Sequence, residues 1–88
     1  MKYHVQFLDR QTNGKIYEAC GSDGVYILDG RNNLNTMILD AKARAYMLRN
    51  IHKFVGFKIK HGDRFSSATT IYQDTLDYNN LIVGGDTV

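Results

Sequence analysis

Proline and tryptophan are absent from this chain of 88 residues, and cysteine occurs once. Without proline there are no stiff polyproline linkers or recognition segments. Cys20 alone cannot close an internal disulfide. That excludes a disulfide-stapled secreted scaffold and fits a reducing, cytoplasmic setting. No apolar run is long enough to cross a bilayer, so no membrane partner is expected. The opening Met1-Lys2-Tyr3-His4-Val5-Gln6-Phe7 has no continuous apolar stretch, so no secretory leader is expected either. The length suits one domain, and 43% hydrophobic residues suffice for one core.

Charge is unevenly spread. Residues 36–64 carry seven basic and two acidic side chains, whereas residues 65–88 carry three acids and no Lys or Arg. A basic middle and an acidic tail are incompatible with a wholesale acidic mimic of DNA.

Periodicity predicts the order βββαββ, an α+β domain with an antiparallel sheet of about five strands and one helix on a face. Tyr3, Val5 and Phe7 alternate with His4, Gln6 and Leu8, as in a strand with one face on the core. Asn13-Gly14 predicts a type I′ hairpin, with the return strand near residues 15–20. Val25-Tyr26-Ile27-Leu28 is nearly all apolar and reads as a central strand covered on both faces.

A helix is expected over residues 36–53, where Gly and Pro are absent and Ala, Leu, Met, Lys and Arg abound. Asn35 or Thr36 is its expected N-cap, Asp40 suits its first turns and Lys53 its C-terminal end. Met37, Ile38, Ala41, Ala45, Leu48 and His52 share its core stripe. Val55, Phe57 and Ile59 alternate with Gly56, Lys58 and Lys60, giving a strand with one wet, basic face. Thr69–Gln73 is the partner strand. Residues 81–83 could add a short edge strand, and 84–88 read as a flexible tail after a domain spanning 1–83.

Residues capable of chemistry are present but scattered. Cys20 ends a strand with no nucleophile signature around it, and a thiol needs a histidine base and a lowered pKa to react. His4, His52 and His61 have no metal-ligand spacing. Asp23, Asp29 and Asp63 sit beside glycines, where aspartate serves turns, and Glu18 stands alone. Gly21-Ser22-Asp23-Gly24 precedes a strand, so no helix N-terminus stands behind it to cradle phosphate. The expectation is a non-enzymatic protein without cofactor or metal.

A binding surface is the stronger expectation. Lys42, Tyr46, Arg49 and Lys53 step by four, three and four residues along one helix flank. Should Lys58 and Lys60 adjoin them, the patch would be basic with a stacking ring, suited to an acidic protein or a phosphate backbone. Several of the tyrosines, Tyr72 among them, should lie exposed, and tyrosine favours interfaces. Gly84-Gly85 and the terminal Asp86-Thr87-Val88 match short modifier-like and PDZ-ligand patterns that arise often by chance.

In layout, residues 1–50 resemble the HicB-type antitoxin domain: a strand opening Met1-Lys2-Tyr3-His4-Val5, two more strands, then an Ala- and charge-rich helix over Leu34 to Arg49. The Pro-Gly-Cys loop of that family is missing, so no functional residue carries over, and shared architecture does not assign function. The expected role is docking onto a larger protein, as an accessory or inhibitory factor of the kind that phage and mobile elements direct at host or defence systems. The alternative is a nucleic-acid module using the helix flank and following strand. A sheet edge open to a second copy leaves a homodimer within reach.

Overall fold

The computed structural model describes residues 2–28 and 33–78. The strand expected at 81–83 and the tail at 84–88 lie outside them. The elements run β1 (Lys2–Arg10), β2 (Ile16–Glu18), β3 (Val25–Leu28), α1 (Leu34–Met47), β4 (Gly56–Gly62) and β5 (Thr69–Thr75). The five strands make one antiparallel sheet, and the expected α+β class and element order hold.

β1 is the backbone of the sheet. β4 pairs with it along one edge, from Lys2↔Gly62 to Leu8↔Gly56, and β5 lies beyond β4. The other edge of β1 takes two short strands end to end, β3 beside Tyr3–Gln6 and β2 beside Leu8–Arg10. Phe7 bridges the gap, donating its N–H to Gly24 O and accepting from Ala19 N. Among the described strands β3 pairs with β1 alone, so there it stands at an edge and is not the central strand its apolar run suggested. Ile27 is 60% exposed, while Tyr26 packs against the core. A four-residue apolar run cannot by itself separate these two positions.

The first hairpin also turns differently from expectation. Among the described residues none other than glycine has a positive φ, and Gly14 stands at +88°. Gly14 N–H reaches Gln11 O and Gln11 N–H reaches Lys15 O. This is a type I turn closed by a left-handed glycine, the usual three-residue alternative to the two-residue I′ turn.

Helix α1 covers one face of the sheet. Its buried Met37, Ala41 and Ala45 join Val5, Phe7, Phe57 and Ile59 in the core, and the alanines let the helix lie close. Asn33 caps it, with Oδ1 accepting from Thr36 N at 2.8 Å and from Thr36 Oγ1 at 2.9 Å. The cap is thus earlier than Asn35 or Thr36. Asp40 lies beyond the first turn, which holds no acid, and Arg44 is the basic residue of the last turn. The helix ends at Met47, so Arg49, His52 and Lys53 belong to the descent into β4.

The opposite face of the sheet shows His4, Gln6 and Leu8 beside Lys58, Lys60 and Gly56. His4 and Gln6 are only 4% and 5% exposed, although alternation placed them outward. His4 Nε2 donates to Gly62 O at 3.1 Å and Phe65 meets the His4 ring edge-on. Long neighbouring side chains give this face enough cover to bury its central polar residues.

Candidate docking face

Helix α1 presents apolar residues on two sides. Leu39, Ala43 and Met47 follow one another at four-residue steps, and each sits two positions beyond a core residue, Met37, Ala41 or Ala45. At 100° per residue that is a turn of about 200°, which points the second stripe away from the sheet. Leu39 is 60% exposed and Met47 76%; Ile51, the next step, lies in the following turn and is 71% exposed. Exposed apolar side chains are ordinary one by one; here they form an aligned row on an outward helix face, which makes it the candidate contact surface.

One rim of this stripe is basic. Lys42 and Tyr46 are half-buried along it. The Arg49 guanidinium lies 3.9 Å from the Tyr46 ring centre, and its Nη1 donates to Tyr46 O at 2.8 Å. Arg49 thus holds the tyrosine ring in place, a cation–π contact that also orders the chain after the helix. Lys53 is exposed in the loop beyond.

The other rim is a compact polar cluster. Tyr26 donates its hydroxyl to Asp40 Oδ2 at 3.0 Å, and the Arg44 guanidinium lies 4.2 Å over the Tyr26 ring. Burial pushes the Tyr26 phenol well above its ordinary pKa, and the Asp40 charge and hydrogen bond add to the shift. Between this cluster and the stripe runs a groove of about 270 Å³ lined by Asp40, Ala43, Arg44, Met47 and Leu48.

Lys58 and Lys60 do not join the helix flank. They pair with Gln6 and His4 in register, whereas the helix covers the face of Val5, Phe7, Phe57 and Ile59. The thickness of the sheet separates the two basic groups. Lys58 Nζ donates to Glu18 Oε2 at 2.8 Å, which holds the Glu18 carboxyl below its usual range, and Lys60 Nζ lies 4.4 Å from the Phe65 ring centre.

Tyr72 faces the helix side, tilted against Phe57 with ring centres 5.8 Å apart, and donates to Asp74 Oδ2 at 3.0 Å. Tyr3, Tyr26, Tyr46, Tyr72 and Tyr78 all pack against the core, and among the described tyrosines Tyr17 alone is exposed. The tyrosines form a half-buried shell instead of the exposed set expected.

A second grouping was invisible in the sequence. Asp23 and His52, 29 positions apart, meet at 3.1 Å between Oδ2 and Nε2. With Asp9, Tyr17, Cys20 and Phe54 they line a cleft of about 330 Å³. His52 stacks on Phe54, and Tyr17 donates weakly to Asp9 Oδ2 at 3.5 Å. A nucleophile–histidine–acid triad needs the histidine's second nitrogen on the nucleophile. Among the described residues no hydrogen bond joins Cys20 to His52. The pair instead pins the turn Gly21–Gly24 to the chain leaving the helix. That turn is tight, because a Cβ on Gly24 would stand 2.8 Å from Cys20 O.

Among the described residues there is no group of three metal-ligating side chains and no helix long and apolar enough to cross a membrane. Comparison with known proteins finds no family model, no curated protein and no solved structure that matches this chain.

Proposed function

We propose that this protein is a non-enzymatic docking factor that applies the outward face of α1 to a larger protein. The carrying observation is the outward stripe Leu39–Ala43–Met47, exposed at Leu39 and Met47, with Lys42 and Arg49 along one rim. The complementary surface is an apolar groove bordered by carboxylates. Apolar anchors supply the affinity of such a contact, and the basic rim steers the encounter. Occlusion of the partner's surface makes the protein inhibitory or accessory, the mode used by phage and mobile-element factors against host or defence systems. Tyr46, held by Arg49, lies beside the anchors. Tyr72 and Lys53 lie away from the stripe and contribute less.

A phosphate-binding surface spanning Lys42, Tyr46, Arg49, Lys53, Lys58 and Lys60 is the alternative. It fits less well, because Lys58 and Lys60 occupy the other sheet face and are engaged by Glu18 and Phe65.

Affinity capture from a lysate of the source, with nuclease and high salt, tests the reading. Wild type, Met47→Asp, the double variant Lys42→Ala/Arg49→Ala and Lys60→Ala are compared. A stoichiometric protein is expected that survives both treatments, is retained by Lys60→Ala and is lost with Met47→Asp. An anchor of this kind is worth at least about 2 kcal/mol, roughly a thirtyfold change in Kd. Capture indifferent to Met47→Asp overturns the helix face. Nucleic acid lost at high salt and in the Lys42/Arg49 variant installs the alternative.

A further inference from the structure

The geometry points to a second copy of this chain as an occupant of the same helix face, giving an antiparallel two-fold dimer centred on Ala43. The stripe reads the same in both directions: a large apolar residue, Leu39, a small one, Ala43, and another large one, Met47. An isologous contact requires such self-complementarity, because each patch meets its own image. About a two-fold through Ala43, Leu39 of one copy lies level with Met47 of the other at both ends, and the central alanines allow close approach of the helices.

Charge agrees with this pairing. Asp40 and Arg44 stand one turn apart on the same rim, and among the described residues neither has an ion-pair partner. A two-fold axis perpendicular to the helices brings that rim against itself. Asp40 then falls within about 3 Å, along the axis, of Arg44 in the other copy, and the same contact repeats at the symmetry-related position. The groove bounded by Asp40, Ala43, Arg44, Met47 and Leu48 is about 270 Å³ and lies on that same rim, where Met47 of the second copy arrives at its Asp40 end.

The patch is one helix long, about 21 Å, which is small for a permanent dimer. A weak dimer follows, with a Kd between about 10 µM and about 1 mM. Its formation hides the stripe, so a partner and a second copy compete for it. Masking presupposes the docking role proposed above; pairing itself does not.

Sedimentation equilibrium of the purified full chain from about 1 µM to about 1 mM reads the pairing without any partner. A reversible monomer–dimer equilibrium is expected. Leu39→Asp and Met47→Asp should each weaken it at least tenfold while the circular dichroism and melting curve stay those of the folded chain. Ala43→Cys in a Cys20→Ser background should give a covalent dimer under mild oxidation, since the two positions face each other across the axis. Thr70→Cys, exposed on β5, should not. A wild type that stays monomeric throughout overturns the dimer, as does a dimer untouched by both aspartates or linked through Thr70→Cys and not Ala43→Cys. A monomer that still captures its protein partner in a Met47-dependent way leaves the docking role standing and removes the dimer alone.

Discussion

At the scale of single residues, the Tyr26 hydroxyl ties the edge strand to the helix through Asp40, with Arg44 over its ring. Its pKa is raised, chiefly by burial, so the folded chain holds this proton more tightly than the unfolded one. The stability this provides is complete below the ordinary phenol value near 10 and is lost as pH rises above it. Tyr26→Phe should therefore flatten the alkaline limb of a stability–pH curve, at a cost of about 1 kcal/mol at neutral pH. An alkaline limb unchanged in urea titrations of that variant would assign it to other groups. Met47 and Leu39 occupy the opposite situation. They add little to the monomer's core, so their substitution by aspartate should alter contacts with other molecules far more than melting temperature.

At the scale of elements, α1 is a helix with two apolar stripes. Leu39, Ala43, Met47 and Ile51 step by four as regularly as Met37, Ala41 and Ala45, although only the second set is an expected stripe. The buried stripe carries two alanines, which suit a close approach, and the outward one carries Ala43, so residue size does not separate them and only docking on the sheet tells them apart. The ends were harder to read. Asn33 lies three residues ahead of Thr36, whose N–H it accepts, so the cap precedes the first apolar residue expected to begin the helix. Asn33→Ala should destabilise the protein by about 1 kcal/mol in chemical denaturation, and Asn33→Ser should restore most of that. The Lys58–Glu18 pair is a different kind of contact. It is half-exposed and screened by salt, so Lys58→Ala should shift stability by less than about 1 kcal/mol.

At the scale of the whole molecule, a single layer of helix on a five-stranded sheet leaves one small core, with Phe7 and Phe57 its largest fully buried side chains. Phe7 stacks on Phe54 with centroids 4.6 Å apart. Phe7→Ala should lose about 3–5 kcal/mol. A domain of this length holds only about 4–13 kcal/mol in total. Thermal melts should show either a fall in Tm of more than 10 °C or no cooperative transition. The sheet also acts as a partition. It sends Lys42, Tyr46 and Arg49 to one side and Lys58 and Lys60 to the other, so these members of the six-residue patch expected with Lys53 do not share one surface.

Strands, helix and their order were legible because they follow from local periodicity: alternation in β1 and β4, helical spacing in α1 and glycine at the turns. The βββαββ order and the membership of Val5, Phe7, Phe57, Ile59, Met37, Ala41 and Ala45 in one core came from that reasoning. Juxtapositions across long stretches of chain did not. Nothing near Asp23 announces His52, nothing near Tyr26 announces Asp40 and Arg44, and an apolar run at β3 looks the same at an edge as at a centre. Periodicity constrains which way a side chain points within its own element. What it meets there depends on how elements from distant parts of the chain are stacked, and that is settled by close packing of the whole core.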